Sequence, residues 1–230
     1  YLYGASNNYI YGTRITDNEF YTEGYAGIRL RFNYAPLISN NRVEAQSYGM
    51  RIESDYGAGV YTFNRVLSDN WGMSITRLGD ETGSVLIANN FISLGSSGDY
   101  GITIENSVHT DIYYNSIFVN SNSNNSAAFH SASGAIEATV NVRNNNFANL
   151  NYGYVVYTGT PGVISEMDHN NLYTAGNFVS YWGNEKIMKL RDLQQVSGKN
   201  SNSLSVFPHY TAFDDLHTIA PWLDGRGIPL

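Results

Sequence analysis

Along most of the chain, apolar residues come in pairs separated by one polar residue, and Gly, Asn and Ser divide the pairs from one another. The stretches "GMRI", "GMSI" and "GITI", beginning at Gly49, Gly72 and Gly101, show the pattern. Residues two apart on a strand point to the same face, so each pair predicts a short strand with one buried side. No segment with helical periodicity interrupts these strands until about residue 187.

Two phrases recur in step. The first is Gly and an apolar alternation, at Gly27, Gly49, Gly72, Gly101, Gly134 and Gly153, with a degenerate copy, "GNFVSY", at Gly176; an aromatic precedes Gly49, Gly72, Gly101 and Gly153. The second is an apolar residue, two variable residues, Asn, one variable residue and an apolar residue. Its fixed members are Asn18, Asn41, Asn64, Asn90, Asn115, Asn145 and Asn170, spaced by 23, 23, 26, 25, 30 and 25 residues. Three apolar pairs per period predict three short strands per repeat. Such a repeat cannot bury its apolar side alone, but copies stacked at the interstrand spacing of about 4.8 Å enclose a continuous core. The expected fold is therefore all-β: a parallel β-helix of about seven coils over residues 1–182, with a C-terminal cap and tail over 183–230. Asn at a fixed turn position is expected to adopt a left-handed conformation and to bond its counterpart in the next coil. The Gly before each strand is expected to admit a sharp bend.

The stretch "GITIENSVHTDIYYNSI" (residues 101–117) resembles the repeat of right-handed parallel β-helix proteins of the pectin-lyase-like superfamily, in which an Asn ladder lies in the turn between the second and third strands. The tail "KLRDLQQVSGKNSNSLSVFPHY" with "DLHTIAPWLDGRGIPL" is similar to the segment that closes bacterial surface β-helices. There, Leu190, Leu193 and Val196 fit one face of a short helix and Gly198 its stop, so the tail reads as a cap over the open end of the core. The resemblance implies a secreted or cell-surface setting and a polysaccharide ligand or substrate.

Composition narrows the partners. With 13 basic against 20 acidic residues among 230, the chain has no basic excess to neutralise phosphates, which excludes nucleic acid as an expected partner. No apolar run approaches the roughly 18 residues of a membrane span. Without Cys, disulfides and thiolate metal sites are excluded. Tyr1 is an unusual natural start, so the chain is expected to be a monomeric module of a larger secreted protein. "LGSSGDY" (94–100) and "NSNSNNSAAFHSAS" (120–133) depart from the regular coil. They read either as walls of a groove or as tolerated surface insertions.

The chemistry lies on the outward positions of the Gly-led strands. These are Arg29, Arg51, Ser74, Thr103 and Glu137, followed by Arg31, Glu53, Thr76, Glu105 and Thr139. Enzymes that the family resemblance implies use acid pairs, or calcium-binding acids beside a basic residue, on this face. No column of three acids, acid pair or calcium loop is written here. His109, His130, His169, His209 and His217 lack metal-ligand spacing, so no metal and no cofactor are expected. Two features stand out. Tyr48, Trp71, Tyr100 and Tyr152, with Tyr25 displaced by one, precede the recurring Gly and would align as a column, either as stacking faces for sugars or as internal packing. Arg29 above Arg51 reads either as part of an ion network with Glu53 and Asp55 or as a clamp for an acidic sugar.

The candidate ligand-binding residues are thus Tyr48, Trp71, Tyr100, Arg29 and Arg51. The expected function is a non-catalytic carbohydrate-binding or adhesin-like module. The alternative is a polysaccharide lyase or glycoside hydrolase acting on an acidic polysaccharide around Arg29, Arg51 and Glu53.

Overall fold

The computed structural model describes residues 1–6, 8–80, 82–132 and 139–229. The chain winds into a parallel β-solenoid of about seven coils, each contributing one strand to each of three sheets. The first sheet runs from Leu2–Tyr3 through Ala26–Arg31, Tyr48–Glu53, Trp71–Thr76, Tyr100–Glu105, Ala127–Ser131 and Tyr154–Thr158 to Ser180–Trp182. The antiparallel strand Glu185–Ile187 then ends it. The second and third sheets have seven strands each, from Arg14–Thr16 to Ile164–Asp168 and from Glu19–Thr22 to Asn171–Thr174. Like residues meet like: Ile28, Met50, Met73 and Ile102 pair in register and are all buried. Among the described residues, no helix is long and apolar enough to cross a membrane.

The Asn ladder joins seven coils. Each side-chain amide from Asn18 to Asn145 donates to the carbonyl oxygen of the next ladder Asn, at 2.9–3.3 Å. From Asn41 onward the same nitrogen also donates to a main-chain carbonyl of the preceding coil. The ladder ends where Ser203 accepts from the Asn170 N–H. The left-handed residue is not the ladder Asn, as expected, but the residue before it: Asp17, Asn40, Phe63, Asn89, Tyr114, Asn144 and His169 all have φ between 55° and 61°. That position, exposed in the first five coils and half-buried in the last two, turns the chain and leaves the ladder Asn free to face its neighbours, so even Phe and Tyr occupy it. The corner after the first sheet repeats the device. Phe32, Ser54, Arg77 and Asn106 are left-handed there, and the residues after them, Asn33, Asp55, Leu78 and Ser107, face inward or bond across coils.

Asp55 sits buried in this second ladder and accepts two hydrogen bonds from Asn33 and one from Tyr61. Burial outweighs these bonds and pushes its carboxyl up to about 6 from an ordinary 3.8. The folded protein therefore binds more protons than the unfolded chain between about pH 4 and 6, and Asp55's contribution to stability falls as pH rises through that window. We expect Asp55→Asn to remove a loss on the order of 2–3 kcal/mol. Denaturant unfolding of parent and variant at pH 4 and pH 7 measures it; equal pH slopes in the two proteins would refute it. Only the difference is diagnostic, because burial shifts His130 downward and so gives the opposite slope.

The recurring Gly answers to space. Gly27, Gly49, Gly72 and Gly101 are not left-handed. A Cβ on Gly49 would lie 2.1 Å from Val66 Cγ1, and one on Gly72 would lie 2.3 Å from the Gly101 carbonyl oxygen. At this position the alternation breaks. Tyr48 points outward, while Gly49 and Met50 are both buried, so the strand touches the third sheet and the next coil at once.

Three expectations change. The Gly134 phrase and outward Glu137 lie outside the described residues. The first-sheet strand of that coil is Ala127–Ser131, with Ala127, Ala128 and Phe129 buried, so the segment 120–133 is not all insertion. Alanine's weak strand signal hid it. The extra residues before it are about 120–126, at the corner that 95–99 also widens. Finally, the tail only partly caps the core. Helix Leu190–Ser197 buries Leu193 against the last coil and stops at left-handed Gly198, but Val196 is exposed. Residues 205–229 instead fold back along the outside of the third sheet. Phe207 packs on Tyr173, Phe213 on Phe118, and His217 on Phe91, while Asp214 pairs with Arg42.

Candidate functional site

The outer face of the first sheet carries the candidate residues. Tyr48, Trp71 and Tyr100 occupy one row in strand register. Their ring centroids lie 5.5 and 5.0 Å apart, and all three rings are half-buried on the outside of the solenoid. Tyr25 joins from the preceding turn, 5.0 Å from Tyr48. Tyr152 does not join. It lies in a turn, and Tyr154, two residues on, takes the row's place opposite Ala127.

Ala127 has no ring, and there the line of rings steps sideways into the next row. His130 stacks on Tyr100 at 4.0 Å, Tyr157 meets His130 at 5.4 Å, and Tyr181 stacks on Tyr157 at 4.6 Å. This second row reads Arg29, Arg51, Ser74, Thr103, His130, Tyr157, Tyr181. Its short members, Ser74 and Thr103, are buried although they point outward, as large side chains flank them. His130, Tyr157 and Tyr181 escaped the sequence reading. The usable signal was their place, the outward residue that Arg29 and Arg51 occupy in earlier coils.

Toward the N-terminal coils, guanidinium groups alternate with rings. Arg29 lies 5.2 Å from the ring centres of both Tyr3 and Tyr25, and Arg51 lies 5.2 Å from Tyr25 and 5.0 Å from Tyr48. The rings and cations thus form one line from Tyr3 to Tyr181. Glu53 sits beneath both arginines, accepting from Arg29 Nε at 3.0 Å and from Arg51 at 3.2 Å. Burial would raise the Glu53 carboxyl, but the Arg29 hydrogen bond and the Arg51 charge prevail and lower it. Asp55 takes no part; it is turned into the second ladder. With Arg31 the in-register neighbour of Glu53, one carboxylate faces three guanidiniums, which leaves this end of the face net positive.

Burial lowers the His130 imidazole to about 4 and, with help from Tyr157 and Asp99, raises the Tyr100 hydroxyl to about 12. The arrangement can stack on planar or pyranose faces, donate hydroxyl protons, and attract an anion at one end. For elimination chemistry, His130 is the available neutral base. It stands three strands from Arg51, roughly 14 Å at the interstrand spacing, too far for one sugar to meet both. His109 bonds Thr139, and Asp111 accepts from Tyr113 and Asn141. Among the described residues, no group of three or more His, Cys, Asp or Glu is placed to hold a metal ion.

The fold and this face define a parallel β-solenoid with a ring-lined outer sheet. Comparison with known proteins finds no family profile, no curated protein and no solved structure that matches the chain.

Proposed function

We propose that this chain is a non-catalytic carbohydrate-binding module of a secreted or cell-surface protein, which holds a linear polysaccharide along the first sheet. The observation that carries the reading is the continuous outward line of rings and guanidiniums from Tyr3 to Tyr181. It runs along the solenoid axis, so its repeat is the strand spacing of about 4.8 Å, close to the length of one sugar unit. Rings supply affinity without strict selectivity, and the unneutralised guanidinium charge adds a preference for acidic units. The sequence resemblance to pectin-lyase-like proteins supports a saccharide as the ligand class.

The test is a glycan array followed by calorimetry on the glycans retained. Trp71→Ala is expected to weaken binding about tenfold, equivalent to about 1.4 kcal/mol, with the circular dichroism spectrum unchanged. Arg51→Ala should weaken acidic glycans more than neutral ones. An affinity within twofold of the parent in Trp71→Ala would reduce the rings to surface packing. Cleavage of a polyuronide, abolished in Arg51→Ala or His130→Ala, would replace the reading with a lyase.

A further inference from the structure

A second feature suited to saccharide lies off this line, at the corner between the third and first sheets in the last two coils. It is a cavity of about 450 Å³, within the range of small-ligand sites. Its floor includes bare backbone. Gly153 is left-handed at φ 87°, and a Cβ there would lie 2.4 Å from the Ser126 carbonyl oxygen; one on Gly176 would lie 2.9 Å from the Gly153 carbonyl oxygen. One wall is the polar segment 120–126, which the next coil holds in place. Asn151 donates to Asn122 at 2.9 Å, Ser126 donates to the Tyr152 carbonyl at 3.1 Å, and Asn149 donates to Ser126 Oγ at 3.0 Å. Asn125 and Asn177 line the cavity, and their side-chain amides bond no described residue. Tyr152, half exposed, and Phe178 also line it. Lys186 stands there with its ammonium 5.5 Å from the Phe178 ring centre and has no ion-pair partner among the described residues.

We propose that this cavity binds a single sugar residue carrying an anionic substituent. A ring takes the apolar face of a pyranose, free amides satisfy hydroxyls as donor and acceptor, and an unpaired ammonium selects a carboxylate or sulfate. The pinned wall means that little ordering accompanies binding. The proposal shares with the preceding reading only that the ligand is a saccharide. A branch or chain end would reach the cavity, whereas the ring line takes a chain lengthwise.

The test is calorimetry or saturation-transfer NMR on the whole chain with glucuronate, glucose 6-sulfate and glucose. At least one anion is expected to bind at millimolar concentration and at least fivefold tighter than glucose. Lys186→Gln should bring the anions to the level of glucose, and Tyr152→Ala should weaken all three. Lys186 is exposed, so circular dichroism should be unchanged in its variant. Trp71→Ala should leave these affinities within twofold. Failure of both anions to bind, or a preference for anions that survives Lys186→Gln, would overturn the proposal; loss of binding in Trp71→Ala would assign the anions to the ring line. If polysaccharide binding fails while monosaccharide anions still bind, only the lengthwise reading falls.

Discussion

Replacing Asn90 with Ala is expected to lower the unfolding free energy by about 3–5 kcal/mol. The Asn90 side chain takes part in four hydrogen bonds. It donates to Asn115 Oδ1 and to the Tyr61 carbonyl, both at 2.9 Å, and accepts from Asn64 N–H and Asn64 Nδ2 at 2.9 and 3.0 Å. The site is fully buried, so no water replaces the lost partners. The Asn64 N–H and the Tyr61 carbonyl each lose the partner that Asn90 gave them, and a buried polar group left alone costs about 1–3 kcal/mol. Asn90→Asp separates shape from chemistry. It keeps the volume but faces two acceptors with a carboxylate oxygen. Its carboxyl should be raised by burial and by those acceptors, so the variant should regain stability as pH falls. Urea unfolding at pH 5 and pH 8 checks both variants. A cost under about 1 kcal/mol for Asn90→Ala would mean that coil stacking does not rest on the ladder.

Gly72→Val is expected to cost about 3 kcal/mol or more, the upper end of overpacking effects. The added Cβ would sit 2.3 Å from the Gly101 carbonyl oxygen and 2.4 Å from Ile92 Cγ2. The first obstacle is main chain of the next coil, which can withdraw only by parting two paired strands. Gly159→Ala serves as the control. Nothing lies within 4 Å of its Cβ and its φ is not positive, so the change should be within about 0.5 kcal/mol of neutral or mildly stabilising. Thermal unfolding of both variants decides the matter. Equal midpoints would show that the recurring Gly serves some need other than contact between coils.

These two positions also mark how far the sequence could be read. The ladder was legible because one residue type must fill one buried slot in every coil, and that demand writes itself as a period. The Gly column was legible as a pattern but not as a cause, since bend and close approach call for the same residue. The strand Ala127–Ser131 was missed because Ala and Ser carry little strand signal, while Phe129 inside and His130 outside were the only marks of its faces. Tyr48, Trp71 and Tyr100 could be placed in one row from their shared offset to Gly. The sidestep to His130 could not, because it depends on Ala127 leaving the face of Tyr100 open. Nor did local sequence show that Glu53 answers both arginines, since Asp55 stands only two residues away. What separates the two acids is the left-handed Ser54 between them, which turns Asp55 inward.

In a plain solenoid each coil touches only its two neighbours, so under tension the stack can come apart one coil at a time from either end. Here the tail alters that mechanics. It leaves the seventh coil at Asn171, whose side chain bonds Val206, and crosses the fifth, where Tyr210 donates to the Ile117 carbonyl. It reaches the second coil at Arg42, then doubles back until Ile228 meets Tyr114 and Asn144. The tail therefore acts as a splice laid along a rope, binding coils that share no direct contact. A pull on the C-terminus meets this strip first and loads it in shear against several coils together, so the last coil is not peeled away alone.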